Sequence, residues 1–357
     1  NLATWFSRAP YNSLTGASRW NEPCVPVYTT GTSIDTGGQP RESLRTVYGR
    51  IDQDIDRAIE LLEKARETTL AENNKSHINL YVALGIKSRA CLAEGDWDGA
   101  FKAAKRVIDE GGYAVGTKSD LTGGMNSLDK QNVMWGAGIQ VADQAGGYAG
   151  FFTHMDNKEG AYAKSAPKLI SKQLYNRISA TDIRRDWWDP SDKESPYVSK
   201  KFSFANVASF LGDYIYMRVE EMYFTAAEAA LRLDDLKSAR ELMNTVMAER
   251  DPGYSANNRS GTLLGATTTT WTGSFLENIL THRRIELWGE YGRLFDVRRL
   301  GQGIDRRTDD GFSEECISMM NRRNVNITKA DTYDWVLTIP KAELDANPNI
   351  NEEDQNP

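Results

Sequence analysis

One helical hairpin is written twice into this chain. The segment "ACLAEGDWDGAFKAAKRVIDE" begins at Ala90 and "AALRLDDLKSARELMNTVMAE" begins at Ala229. Laid together without gaps, they match at Ala90 and Ala229, Leu92 and Leu231, and Asp96 and Asp235. They match again at Ala100 and Ala239, Val107 and Val246, and Glu110 and Glu249. A small residue near the start of the second helix lets two helices approach closely, and Leu, Val and Met then fill the seam. Helix, short turn, helix is the pattern of an αα-hairpin.

The pair resembles tetratricopeptide repeats, although more than a hundred residues separate the copies, so the array is interrupted. A longer helix precedes the first copy. Ser43 is placed to cap it, and Leu44, Val47, Tyr48, Ile51, Ile55, Ile59 and Leu62 recur at spacings of three and four, giving one apolar stripe. Helices are expected over 77–94 and 97–110, stopping near Gly95 and at "EGGY", and again over 274–290. "NVMWGAGIQ" alternates Val133, Trp135, Ala137 and Ile139 like a short strand. The expected fold is mainly α: a tetratricopeptide-like helical hairpin scaffold with long irregular loops and a few short strands. The scaffold takes 43–111 and 215–300, the irregular material 112–214 and 251–273, and a C-terminal segment 301–357, all within a single domain over 1–357.

Composition excludes several classes of function. With 357 residues, 40% of them hydrophobic, the chain can bury a sizeable core. A net charge of −7 argues against a general nucleic-acid binder, which needs a basic surface to release counterions. No window approaches the roughly 18 apolar residues of a membrane span. Cys24, Cys91 and Cys316 are far apart and form no CxxC pair; Cys91 is expected to be buried on a helix and the other two free. His77, His154 and His282 lie in different segments, so no metal site is expected. Neither a phosphate-binding loop nor a GxSxG elbow occurs in the right context, and no cofactor is expected.

The stretch "HRRIELWGEYGRLFDVRRLGQ", residues 282–302, is dense in charge. On a continuous helix, Arg283, Glu286, Glu290 and Arg293 fall at i, i+3, i+7 and i+10 along one side, a spacing that pairs opposite charges locally. Two carboxylates there suggest a glycosidase acid/base pair, but that chemistry needs carboxylates facing each other across a substrate. A cation one turn from each lowers its pKa and spoils a general acid. The stretch therefore reads as structural, with Ile285, Trp288, Gly292 and Phe295 as a packing face remote from any ligand. Arg218 and Glu221 are read the same way, as an ion pair three residues apart.

Recognition is expected in the irregular aromatic segments. In "DIRRDWWDP", Trp187 and Trp188 precede Asp-Pro and are expected on a loop, where an indole can offer a flat face. In "GGYAGFFTHMDN", the glycines keep Tyr148, Phe151, Phe152, His154, Asp156 and Asn157 out of regular structure. An aromatic ring covers the apolar C–H face of a sugar while neighbouring polar groups take its hydroxyls. These eight residues are the candidate ligand-binding set.

Taken in order, "NLYVALGIKSRACLAEGDWDGAFKAAKRVIDEGGY", "SAPKLISKQLYNRISATDIRRDWW", "GDYIYMRVEEMYFTAAEAALRLDDLKSARELMNTV", "LENILTHRRIELWGEYGRLFDVRRLG" and "WVLTIPKAELDANPNINEEDQNP" resemble the SusD/RagB family of outer-membrane nutrient-binding lipoproteins of Bacteroidetes. The combination of "RRIELWGEYGRLFDVRR" with "IPKAELDANPNI" is the specific part. The resemblance implies a non-enzymatic, cell-surface protein that captures an oligosaccharide and hands it to a TonB-dependent, SusC-like outer-membrane transporter, its loop side taking the ligand. Some family members take peptides instead. A glycoside hydrolase and a pure tetratricopeptide interaction scaffold are the rival functions for such a chain. The resemblance also implies a membrane attachment solely through an N-terminal lipid anchor. No lipobox precedes Asn1 and Cys24 does not resemble one, so the chain is expected to start inside a longer precursor.

Overall fold

The computed structural model describes residues 1–29, 31–66, 74–141, 149–261, 273–303 and 335–356. The chain opens with a short helix α1 (Leu2–Phe6), followed by α2 (Leu44–Arg66), α3 (Leu80–Glu94), α4 (Trp97–Glu110) and α5 (Lys118–Thr122). Strand β1 (Val133–Ala137) leads into three short helices, α6 (Phe151–Met155), α7 (Ala161–Ser165) and α8 (Lys172–Tyr175). The strands β2 (Trp188–Asp189), β3 (Val198–Ser199) and β4 (Tyr214–Arg218) come next, then α9 (Val219–Arg232), α10 (Leu236–Ala248), α11 (Phe275–Glu286), α12 (Arg293–Arg299) and α13 (Lys341–Ala346). Among the described residues, no helix is long and apolar enough to cross a membrane.

The matched positions of the two hairpins have equivalent physical roles. Asp96 caps α4 by accepting the Gly99 N–H at 3.0 Å, and Asp235 caps α10 by accepting that of Ser238 at 3.0 Å. Ala100, Ala239, Val107 and Val246 are all fully buried along the helix seams. Gly95 closes α3 in the left-handed region, at φ 78°. Ser43 caps α2 through the Thr46 N–H at 3.1 Å, and Leu44, Val47, Tyr48 and Ile59 of the expected stripe are buried.

Helix α9, the first helix of the second hairpin, packs against α4 of the first hairpin and against α10 and α11. Twelve of its fourteen residues are buried, so a helix that carries Glu220, Glu221 and Glu228 is enclosed on nearly every side. Buried carboxylates need partners, and that demand organises the rest of the scaffold.

β1 pairs antiparallel with β4, with a register irregularity at Trp135. β2 pairs with β3. Below these strands a second core gathers Phe152, Trp187, Trp188, Phe202, Phe204 and Ile285. The region read as irregular over 112–214 thus holds short helices and two small sheets as well as loops.

Candidate functional site

The charged stretch 282–302 is not one helix. Helix α11 stops at Glu286 and α12 starts at Arg293. Between them, Gly289 at φ 75° and Gly292 at φ 122° turn the chain. A Cβ on Gly289 would come within 2.5 Å of the Phe202 ring, so both conformation and space demand glycine there.

Breaking the helix sends its charges to distant partners. Glu286 receives Arg250 at 3.0 Å, Arg218 at 3.0 Å and Arg184 at 3.1 Å. Arg184 is also paired with Asp182 at 2.7 Å, and its Nη2 lies 2.8 Å from His282 Nδ1. Arg250 and Arg218 share Glu220, at 2.8 and 3.1 Å. Glu290 accepts from Arg218 at 2.8 Å and from Lys201 at 2.5 Å, and Lys201 also donates to the carbonyls of Glu286 and Trp288. Local pairing of Glu286 and Glu290 with Arg283 and Arg293 is therefore corrected. Burial would raise the Glu286 carboxyl, but Arg250, Arg218 and Arg184 hold it well below the usual carboxylate range. Burial lowers the Lys201 ammonium to about 8 despite Glu290.

A second web runs along the other side of α9. Arg89 meets Glu221 at 2.6 Å, and Glu221 lies 3.6 Å from Arg283. Arg283 meets Asp296 at 2.9 Å, and Asp296 meets Arg299 at 2.9 Å. Arg299 meets Glu228 at 2.7 Å, and Glu228 meets Arg232 at 3.0 Å. The expected Arg218–Glu221 pair is absent from these contacts, because successive residues Glu220 and Glu221 point to different webs.

Both webs border a cavity of about 760 Å³. Its walls come from α1 and the segment after it, from α2 and α3, from the β1–β4 pair, and from the turn between α11 and α12. The aromatic part of the lining includes Trp135, Phe151, Tyr214, Tyr216, Tyr291 and Phe295. Trp135 and Tyr216 stand edge to face, with ring centroids 5.1 Å apart. Tyr216 is 41% exposed, which places it at the cavity's opening. Tyr291 stacks on Phe295 at 4.7 Å and carries the Arg89 guanidinium 3.8 Å above its ring. Glu290 is the one carboxylate of the lining among the described residues, and both its oxygens are engaged by Arg218 or Lys201. Burial would raise it, yet those cations hold it below the ordinary range.

The SusD family model matches residues 155–357, more than half of the chain. The chain belongs to the SusD family. No curated protein sequence matches it. Among solved structures, a SusD-like carbohydrate binding protein from Bacteroides vulgatus is 25% identical, with a TM-score of 0.76, covering 99% of this chain and 74% of that one. A SusD superfamily protein from Bacteroides thetaiotaomicron is 21% identical at a TM-score of 0.73, covering 100% and 74%. Surface glycan-binding protein A from Bacteroides uniformis is 16% identical at a TM-score of 0.62, covering 95% and 74%. The last two likenesses concern the fold.

In this SusD-family chain, the expected ligand set is scattered. Trp187 and Trp188 are 2% and 1% exposed. Their rings meet each other edge to face at 5.8 Å, Trp188 meets Trp288 in the same way, and the Trp187 Nε1–H donates to the Leu121 carbonyl at 2.9 Å. The expectation of exposed indole faces is corrected: residues 183–187 form a 3₁₀ turn that folds both rings into the second core. Phe152 is in that core too. Asp156 is buried and accepts backbone N–H groups of Lys158, Glu159 and Phe204. Asn157 bridges the Ser199 carbonyl and the Lys168 N–H, each at 2.8 Å. Both side chains are thus committed to loop structure. His154 is exposed and stacks on Tyr162 at 4.5 Å, away from the cavity lining. Tyr148 lies outside the described residues, as does Cys316. Among the described members of the set, Phe151 alone lines the cavity.

The residues that do converge were legible in part. "DYIYMR" places Tyr214 and Tyr216 two apart, the period that puts strand side chains on one face. Tyr291 and Phe295 lie in the stretch expected to be remote from ligand, and here they line the cavity.

Proposed function

We propose that this chain binds an oligosaccharide at the bacterial cell surface and passes it to a SusC-like, TonB-dependent outer-membrane transporter. Family membership supports the surface, nutrient-binding part of this reading, and the names of the relatives from Bacteroides vulgatus and Bacteroides uniformis support a glycan as the ligand. The observation that carries it is the Trp135–Tyr216 pair at the opening of an aromatic cavity. An exposed phenol ring braced by an indole gives a rigid apolar face for the C–H side of a sugar, while hydroxyls outside the contact remain free for polar groups.

The reading is non-enzymatic. Glycoside hydrolysis needs two carboxylates flanking the scissile bond, one of them protonated. Glu290 is ionised and clamped, and no second carboxylate faces it across the cavity among the described residues. Affinity electrophoresis on plant, host-mucin and microbial polysaccharides tests the proposal. Retention on at least one, with no product released over long incubation, is expected. Retention on none, or sustained release of shorter sugars, contradicts it.

A further inference from the structure

The second ion web is not electrically balanced. Arg89, Arg283, Arg299 and Arg232 supply four guanidinium groups, while Glu221, Asp296 and Glu228 supply three carboxylates. One positive charge is left over among the described residues. The first web, by contrast, sets Arg184, Arg218, Arg250 and Lys201 against Asp182, Glu220, Glu286 and Glu290, four against four.

Arg89 is the member of the unbalanced web that ends it at the cavity. Its Nε donates to Glu221 at 2.8 Å, and its Nη2 donates to Glu221 at 2.6 Å and to the Tyr216 carbonyl at 2.8 Å. Nη1 makes no hydrogen bond among the described residues, and Arg89 belongs to the cavity lining. The Tyr291 ring beneath the guanidinium holds its plane fixed. Arg8 and Arg299 also line the cavity, but their charges are already met, Arg8 by Glu22 and Arg299 by Glu228 and Asp296. Glu290 cannot serve as a competing acceptor, since Arg218 and Lys201 occupy its oxygens.

We propose that the cavity selects acidic oligosaccharides, the Arg89 Nη1 group donating to a sugar carboxylate while the neighbouring sugar face lies on Tyr216 and Trp135. This rests on the glycan-binding reading above. The Arg89–Tyr216 hydrogen bond fixes charge and platform side by side, so one uronic-acid unit and its neighbour can engage both. The anion completes the web rather than disrupting it. A fixed, partly enclosed guanidinium gives a stronger, shorter hydrogen bond to a carboxylate than to a hydroxyl. General attraction to polyanions does not explain such a preference, because the chain as a whole carries −7.

The test uses the whole protein on polygalacturonate, alginate and hyaluronan, each beside its carboxyl-reduced form, with starch, inulin and xylan as neutral polymers. At least one acidic polymer is expected to be retained about tenfold more tightly than its reduced form, the size of one charge-assisted hydrogen bond, and the difference should shrink as salt is raised. Arg89→Lys keeps the charge but loses the fork that grips Glu221, so it is expected to lower the preference at some cost in melting temperature, and is compared with wild type at a temperature where circular dichroism shows both folded. Equal retention of an acidic polymer and its reduced form, or retention confined to neutral polymers, overturns this proposal and leaves glycan binding standing. Retention on no polymer overturns both.

Discussion

Arg250 Nε and Glu286 Oε2 lie 3.0 Å apart, and neither side chain has any exposed surface. Arg250 follows α10 and Glu286 ends α11, so the pair ties the second hairpin to the helix that leads to the cavity wall. Removing one partner leaves a buried charge uncompensated, which costs about 3–5 kcal/mol. Glu286→Ala is therefore expected to lower the urea midpoint severely, with three arginines left facing one another. A midpoint within experimental error of wild type contradicts this role.

The same carboxylates set the acid limit of the fold. Burial opposes ionisation of Glu228, but Arg299 and Arg232 bring it down to about 2, and Asp296, Glu286 and Glu290 are also lowered. Above pH 4.5 they are ionised whether the chain is folded or not, and their contribution is complete. As pH falls from there toward 2, the unfolded chain takes up protons first and that contribution is lost. Urea midpoints are expected to drop steeply between pH 5 and 3, more gently in Glu228→Gln, although that variant starts from a lower value. A flat profile over this interval counts against the webs as the source of stability.

Glu94 behaves in the opposite sense. Burial, then Asp52 and Asp96, push its carboxyl up to about 8, and its Oε1 has no partner among the described residues. Below pH 4.5 the group is protonated folded or unfolded. From 4.5 to 8 the folded chain retains a proton that the unfolded chain releases, so stability falls as pH rises. Glu94→Gln is expected to stabilise the protein at pH 8 by on the order of 1 kcal/mol after solvent screening, and to give no gain at pH 4. Identical shifts at both values argue against a titrating Glu94.

Trp188 tests core against contact. Trp188→Ala removes a ring that packs between Trp187 and Trp288 and is expected to cost about 3–5 kcal/mol. Trp188→Phe, which keeps most of the packing, is expected to fold and to bind ligand like wild type. Normal stability with lost binding in the Phe variant indicates a ligand contact instead.

What the sequence made legible was local. The paired hairpins, the Ser43 cap and the stripe of α2 are each set within a few residues of sequence, and they reappear in the fold. The ion webs were hidden because their members lie far apart in sequence: Arg184 and Glu286 are 102 residues apart. Charge spacing in 282–302 suggested helix-local pairs, and two glycines at positive φ undid them. Adjacent tryptophans before Asp-Pro looked like a surface loop, yet Trp288, from a different element, buries Trp188. Tyr216 could be placed on a strand face from its alternation with Tyr214, but not opposite Trp135, since the irregular register between their strands is a tertiary feature.

The central claim, that the Trp135–Tyr216 pair forms the sugar platform, is tested most directly by one affinity. Calorimetric titration of Tyr216→Ala with an oligosaccharide cut from whichever polysaccharide the wild type retains is expected to show binding at least about tenfold weaker, at an unchanged circular dichroism spectrum. Wild-type affinity in a folded Tyr216→Ala protein contradicts the account.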